Sequence, residues 1–309
     1  MLKNFPGIFS KTPAFAGVAS LALGFFFAQA GATFGAETVR QLVFSDEFDG
    51  SALDDSKWTR VDAGAPEWRK YMDATSSDLV EFKDGCLVLK GKKDTADASV
   101  RDYREAGIFS PGKFSFRYGK VEIRAKFDSI QGVWPALWMM PVNGTTWPSA
   151  GEIDIMEHLN YEGSVYQTLH FCDVAGGSAS ASTHPNIDKT VFNTYGIEWE
   201  EDKISFLIND VVTATFTPEN TSAAWPFNER EFYFILSMQI GGSWVENTGQ
   251  NRGIDAATIY ASGANMYVDY VRVWQDVAPE IPEPSMFGVL AGLGALALAG
   301  SRRRRKSGK

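Results

Sequence analysis

The 309-residue sequence predicts an all-β fold, a sandwich or barrel of antiparallel strands. Two observations carry this prediction. Helical periodicity is almost absent between residues 37 and 276, and short runs that alternate apolar with polar residues take its place. Turn-forming pairs, Asp84-Gly85 and Asn209-Asp210, lie between apolar runs, where two-residue hairpin turns are expected. One sandwich of about 240 residues can bury a large core, so we expect a single domain over residues 37–276.

Seven runs have the alternation that is typical of strands. They begin at residues 86, 113, 165, 195, 204, 232 and 266 and read CLVLKG, KFSFRYGKVEIRAKF, VYQTLHF, YGIEWE, ISFLIND, FYFILSMQI and MYVDYVRVW. In the second run Phe114, Phe116 and Tyr118 share one face, because side chains on a strand alternate between its two faces. We therefore expect a strand at each of these runs.

The two ends of the chain differ from its middle. Residues 1–36 carry Lys3 and Lys11, no acid and a central apolar stretch, which is the build of a secretory signal peptide. Residues 277–309 contain Pro282-Glu283-Pro284, an apolar run and an arginine block, and resemble the PEP-CTERM sorting segment of Gram-negative bacteria. The resemblance implies export to the periplasm, cell surface or medium, transient anchoring in the membrane and a sorting protease as partner. A permanent membrane anchor is the alternative.

Charge narrows the choice of partners. The whole chain has 29 basic and 38 acidic side chains and a formal net charge of -9. Residues 37–276 hold 21 of the bases and 36 of the acids, which gives this part a formal charge of -15. Such a surface repels phosphate backbones, so we expect no nucleic-acid partner. It also weighs against heavily sulfated polysaccharides as ligands.

Cysteine and histidine are scarce. Cys86 and Cys172 allow one disulfide at most, and their spacing leaves open whether it forms. The three histidines and two thiols lack the spacing of zinc ligands, which argues against a zinc site.

The most informative segment is GEIDIMEH, at residues 151–158. Glu152 and Asp154 alternate with Ile153 and Ile155, so on a strand both acids project from one face while the isoleucines enter the core. Acids this close repel one another, and a structural strand would seldom carry them. The segment therefore indicates a functional site.

Glu157 does not fit this alternation without a correction. It lies an odd number of positions from Glu152, and strict alternation would point it into the core. One extra residue in a β-bulge at Ile155-Met156 returns it to the face of the other acids. We expect such a bulge, because bulges often re-aim side chains beside active sites.

Two carboxyls in opposite protonation states are what a retaining glycosidase needs, with their oxygens about 5 to 5.5 Å apart. Glu152 is the candidate nucleophile and Glu157 the candidate acid/base, kept protonated by neighbouring negative charge. Asp154 would share a proton with Glu152. A solvated acidic strand, a calcium-ligand cluster and a non-catalytic carbohydrate-binding domain are the alternatives, of which the last has no use for three acids on one strand.

The segment GEIDIMEH resembles the Glu-x-Asp-x-x-Glu signature of glycoside hydrolase family 16. The flanking segments agree in order, among them FSDEFDG, GVWPALWMMP, TLHF and MYVDYVRVWQ, and the resemblance covers residues 41–276. It implies a β-jelly-roll of two curved antiparallel sheets with a cleft on the concave face. It also implies endo-acting, retaining hydrolysis of internal β-linkages, with Glu152 as nucleophile, Asp154 as helper and Glu157 as acid/base.

Aromatic residues are candidate sugar platforms. Trp134 and Trp138 have even spacing, so on a strand they share a face on which sugar rings could stack, and core packing is the alternative. The family places this pair in the cleft. Trp244 follows two glycines and is a third candidate platform or a packed loop aromatic.

Other candidate residues depend more on the resemblance. His170 matches a histidine that the family places near the acid/base, and Gln167 and Arg104 are candidate hydrogen-bond donors to sugar. Glu47 and Asp269 match positions where many members hold a structural Ca²⁺, although solvated carboxylates are the simpler interpretation. We expect no required cofactor and a monomer.

The identity of the substrate polymer is the property that the sequence determines least. Glucanase members read roughly Gly-Thr-x-His after the acids, whereas this chain reads Tyr166-Gln167-Thr168-Leu169-His170, and MQIGGSW from residue 238 also differs from glucanases. These segments look more like mucin-directed members, which are endo-β-galactosidases acting on poly-N-acetyllactosamine of O-glycans. An endo-β-1,3-glucanase (laminarinase) is the main alternative, and an agar-type galactanase is a further one.

Overall fold

The computed structural model describes residues 38–144, 146–247 and 253–278. The signal-peptide segment 1–36 and the tail beyond residue 278 lie outside the described residues, so both remain predictions. The strands of the described part are β1 (Val39–Asp46), β2 (Thr59–Arg60), β3 (Val80–Lys83), β4 (Cys86–Lys93), β5 (Tyr103–Phe109), β6 (Gly119–Phe127), β7 (Val133–Pro141), β8 (Glu152–Glu157), β9 (Tyr166–Cys172), β10 (Ser178–Thr183), β11 (Asn193–Glu200), β12 (Lys203–Ile208), β13 (Val211–Phe216), β14 (Phe232–Ile240) and β15 (Ala264–Val277).

Helices are few and short. They are α1 (Pro218–Thr221), α2 (Ser243–Asn247), α3 (Ala256–Ser262) and two 3₁₀ turns, Glu67–Arg69 and Pro226–Asn228. In the described part of the chain no helix is long and apolar enough to cross a membrane.

The strands form two antiparallel sheets that β5 connects. The first sheet has the order β10-β9-β8-β7-β14-β5 with β2 beside β5. The second has the order β4-β15-β6-β11-β12-β13, with β1 paired to β15 and β3 paired to β4. Residues 106–109 of β5 pair with β14, whereas residues 103–105 pair with β4. This topology confirms the predicted all-β jelly-roll sandwich.

The core lies between the two sheets. Ile153 of β8, Leu137 of β7 and Val121 of β6 are fully buried and belong to one apolar cluster. The alternating run from residue 113 is a strand only from Gly119 onward, which corrects the prediction for its first half. Phe114 lies in the preceding loop and stacks against Phe44, so burial of aromatic rings explains the apolar pattern there.

Both predicted hairpin turns are confirmed. Lys83 pairs with Cys86 and Ile208 pairs with Val211, so each connection contains two residues. Positive φ angles at Asp84-Gly85 (54° and 75°) and at Asn209-Asp210 (50° and 62°) give the backbone twist that such hairpins require.

The two cysteines are free. Cys86 is buried at the start of β4, and Cys172 is half-buried at the end of β9 in the other sheet. The open question of a disulfide is therefore answered in the negative for this structure.

Candidate active site

A pocket lies over the face of the first sheet that points away from the core. Strands β7, β8, β9 and β10 form its floor, and α2 contributes to its wall. Its lining residues are Trp134, Trp147, Glu152, Glu157, Tyr166, Thr168, His170, Ser180, Ser182, His184 and Trp244. Two carboxylates, two histidines and four aromatic rings therefore share one open site.

The predicted bulge in β8 is present at the predicted place. Asp154 pairs with Thr168 and Glu157 with Tyr166, so β8 uses three steps where β9 uses two. Ile155 and Met156 are consecutive and both belong to the core cluster. Because two successive side chains point inward, Glu157 returns to the pocket.

Glu152, Asp154 and His170 form a compact cluster. One side-chain ligand atom from each lies within 4.8 Å of the other two. Asp154 is 1% exposed, and its Oδ2 lies 3.3 Å from His170 Nε2. Glu152 also accepts a hydrogen bond from Trp147 Nε1. The cluster is the one group of three or more potential metal ligands in the described ranges.

Protonation differs between the acids of this cluster. Burial raises the pKa of Asp154 well above its usual range, and the neighbouring Glu152 charge raises it further. Burial also raises the pKa of Glu152, but His170, Trp147 and a hydrogen bond with Asp154 oppose that rise. Within this pair Asp154 therefore has the greater tendency to hold a proton.

Glu157 has the environment of a carboxylic acid that keeps its proton. It is 7% exposed, and its Oε1 accepts a hydrogen bond of 2.9 Å from Trp134 Nε1. Burial raises the pKa of Glu157 well above its usual range, the negative charge of the neighbouring Glu152–Asp154 pair adds to the rise, and the Trp134 N–H opposes it. The pKa of Glu157 is thus raised more strongly than that of Glu152.

Trp244 is fixed in the pocket wall by contacts from distant segments. Its ring packs edge-to-face against Trp134 and Tyr166, with centroids 5.3 and 5.0 Å apart. Glu67 accepts hydrogen bonds from the backbone N–H and hydroxyl of Ser243, at 2.8 and 2.7 Å. Arg101 pairs with both carboxylate oxygens of Glu246 on the same helix. These contacts orient the Trp244 ring toward the pocket.

Trp138 lies on the same face of β7 as Trp134, as predicted. It is too buried, however, for a sugar ring to stack on it. It is 6% exposed and packs with Ile235 under the edge of Trp68, whose ring centroid is 4.8 Å away. Its Nε1 donates to Ser237 Oγ at 3.2 Å. Trp68, from a 3₁₀ turn that is remote in sequence, therefore covers Trp138, so that Trp138 does not line the pocket.

Gln167 and Arg104 were predicted as sugar contacts, and the structure places both elsewhere. Gln167 is fully buried, because it alternates with Thr168 and His170, which point to the pocket. Arg104 lies on the surface in ion pairs with Asp78 and Asp94, at 3.1 and 2.7 Å. Neither side chain lines the pocket.

The predicted calcium position does not fit a metal. Both carboxylate oxygens of Glu47 accept hydrogen bonds from Arg272, at 2.9 and 2.6 Å. Asp269 pairs with Arg124. A cation would have to compete with a guanidinium at each carboxylate, so Glu47 and Asp269 are better described as ion-paired residues.

Sequence reasoning missed several lining residues. Trp147 is 57% exposed in a turn five positions before Glu152, where periodicity gives no signal. His184 lies beyond β10 and packs against Tyr166 in a tilted arrangement, with ring centroids 4.3 Å apart. Tyr166 and Thr168 share the parity of His170, so strand alternation could have identified them.

Residues 69–270 match the family model of the glycosyl hydrolases family 16. The chain belongs to glycosyl hydrolase family 16. It is 38% identical over 253 residues to the keratan-sulfate endo-1,4-β-galactosidase of Sphingobacterium multivorum, and the match spans 79% of this chain but only 57% of that relative. Membership of family 16 supports a glycosidase activity.

Solved structures of family 16 resemble the fold closely. The laminarinase from Rhodothermus marinus superposes with a TM-score of 0.65 at 31% identity, covering 78% of this chain and 99% of that one. A structure from work on endo-acting O-glycanases, which members of the human gut microbiota express to initiate mucin breakdown, has a TM-score of 0.65 at 28% identity. It covers 78% of this chain and 100% of that one.

Proposed function

We propose that this protein is a retaining, endo-acting glycoside hydrolase in which Glu152 is the nucleophile and Glu157 the acid/base. The observation that carries the proposal is the bulge in β8, which brings the buried Glu157, with its raised pKa, to the pocket that already contains Glu152. Double displacement requires an ionised Glu152 and a protonated Glu157, and the stronger rise of the Glu157 pKa favours that arrangement.

The first step forms a glycosyl-enzyme. A Glu152 oxygen attacks the anomeric carbon of a β-linked sugar, and the bond to the leaving oxygen breaks as Glu157 gives that oxygen its proton. Asp154 donates its hydrogen bond to Glu152, which keeps Glu152 ionised and orients it. The neighbouring His170 opposes the rise in the pKa of Glu152, and its Nε2 lies 3.3 Å from Asp154 Oδ2.

The second step releases the product. Glu157, now ionised, takes a proton from water, whose oxygen attacks the anomeric carbon and displaces Glu152. The sugar keeps its β-configuration, because two inversions occur at the same carbon.

Replacing Trp134 by Phe should move the alkaline limb of the kcat/KM profile to higher pH. Activity is lost as pH rises through the pKa of Glu157, because the acid must be protonated in the first step. The Trp134 N–H favours the ionised form of Glu157, so its removal raises that pKa further. Profiles of wild type and Trp134→Phe on the same glycan check this, and an unmoved or downward-shifted limb would contradict it.

For the substrate we propose unsulfated poly-N-acetyllactosamine of mucin-type O-glycans, cleaved at its β-galactosidic bonds. The likeness to a keratan-sulfate endo-β-galactosidase and to an O-glycanase structure supports this choice. The described residues that line the pocket include no lysine or arginine to pair with a sulfate. Endo-β-1,3-glucanase activity is the second candidate, because laminarinase structures are equally similar.

Digestion of a glycan panel tests the substrate. Porcine gastric mucin, keratan sulfate before and after desulfation, and laminarin would be incubated with purified protein, and the products examined by mass spectrometry. We expect galactose-ended oligosaccharides from mucin and from desulfated keratan. Glu152→Gln is the matched control, since it nearly keeps side-chain volume while removing the nucleophile.

Two outcomes would change the proposal. Products from laminarin alone would replace the galactosidase proposal by the glucanase. Binding to a glycan with no turnover on the whole panel would favour a carbohydrate-binding domain and overturn the proposed hydrolase.

A further inference from the structure

Gln167 is a polar side chain with no contact to solvent. It lies on β9, the strand that pairs with β8, and is 0% exposed. Its Nε2 donates to the backbone oxygen of Ile155 at 3.1 Å and lies 3.4 Å from that of Leu207. Its Oε1 accepts a hydrogen bond from Thr213 Oγ1. One amide thus connects the first sheet to the second.

The partners of Gln167 belong to two β-bulges. Leu137 pairs with Met156 and Trp138 with Asp154, so Ile155 is the extra residue of β8 relative to β7. A second bulge is present in the β12–β13 hairpin. Phe206 pairs with Ala214 and Leu207 with Val212, so Thr213 is the extra residue there.

A bulge interrupts the ladder of a sheet and leaves backbone groups that need other partners. A buried carbonyl without a partner is unfavourable, so the bulge in β8 depends on whatever donates to the Ile155 oxygen. An amide is suited to this position because it can donate to the bulge in β8 while it accepts from Thr213 at the bulge in β13.

We propose that Gln167 is a positioning residue, which holds the β8 bulge in the form that aims Glu157 into the pocket. The inference rests on the proposed function of Glu157 as the acid/base. Gln167 does not touch the sugar. It acts through the Ile155 backbone oxygen, two residues before Glu157.

The test uses the isosteric variant Gln167→Met, which keeps volume but cannot donate to Ile155. A misplaced Glu157 fails to protonate the leaving oxygen, so we expect kcat on the natural glycan to fall about 10²-fold, with KM changed about twofold or less. A dinitrophenyl β-glycoside of the oligosaccharide that wild type releases needs no such proton. Its rate of dinitrophenol release in the first turnover should therefore fall less than about threefold, because dinitrophenolate leaves without a proton from Glu157.

Ser205→Ala is the matched control for lost stability. It removes a 2.9 Å hydrogen bond between Ser205 and Thr215 in the same hairpin, and Ser205 is also buried. We expect this variant to lower the melting temperature while leaving the ratio of the two rates unchanged. Equal losses on both substrates in Gln167→Met, or a wild-type rate on the glycan, would overturn the inference.

A second variant covers the case in which Gln167→Met does not fold. Gln167→Glu reproduces the donor and the acceptor only while its carboxyl is protonated. Its ratio of glycan rate to dinitrophenyl rate should match wild type at low pH and fall as the new carboxyl ionises, and a ratio that follows wild type throughout would contradict the inference. If wild type hydrolysed neither the panel nor the dinitrophenyl glycoside, the proposed function would fail, and this inference with it.

Discussion

Glu152→Ala should lower kcat/KM on the natural glycan by roughly 10⁴-fold or more, because the variant cannot form the glycosyl-enzyme. Azide should restore turnover of the dinitrophenyl β-glycoside, since it can enter the space left by the carboxylate and attack the anomeric carbon directly. A single displacement inverts that carbon, so the product should be the α-glycosyl azide. Rates with and without azide, and the anomer by NMR, are the measurements.

Glu152→Gln is the companion variant for this experiment. Its amide fills the space that azide would enter, so it should be equally inactive but unresponsive to azide. Activity above about one hundredth of wild type in Glu152→Ala without azide would remove Glu152 from the role of nucleophile.

Glu157→Ala should show a loss that depends on the leaving group. On the glycan we expect kcat/KM to fall about 10²- to 10⁴-fold, because the leaving oxygen receives no proton. The first turnover of the dinitrophenyl β-glycoside should remain fast and be followed by slow hydrolysis of the glycosyl-enzyme. Azide should accelerate that second step and yield the β-glycosyl azide, since two inversions restore the configuration.

The two azide products separate the two roles. An α-azide from Glu157→Ala, or a β-azide from Glu152→Ala, would exchange the assignments. His184→Ala is a useful control, because it removes an exposed ring that packs against Tyr166 while leaving both acids in place. It should show neither azide response.

Local patterns predicted the parts of the site that a single strand determines. Alternation put Ile153 and Ile155 in the core, and the odd spacing of Glu157 required an extra residue in β8. The turn-forming pairs Asp84-Gly85 and Asn209-Asp210 marked both hairpin turns, where the structure has positive φ angles. Each of these features is determined by residues that are close to one another in the sequence.

Features that depend on remote contacts were not predictable in this way. Trp138 has the correct face, but Trp68 covers it from a turn 70 positions away in sequence. The edge strand β10 has the sequence SASAST, whose only apolar side chains are two small alanines, so its alternation is weak. Gln167 is the instructive error, because its parity relative to His170 already excluded the pocket, and only the structure reveals the bulges that it joins.

The way in which Trp244 is held offers a route for protein engineering. Glu67 and Arg101 come from segments well before the catalytic strand, yet they fix the short helix that carries this ring. Changes in those two segments would tilt or release the ring without altering the acids that we propose to break the glycosidic bond. Libraries aimed at positions around Glu67 and Arg101 could therefore shift polymer preference while the chemistry is preserved.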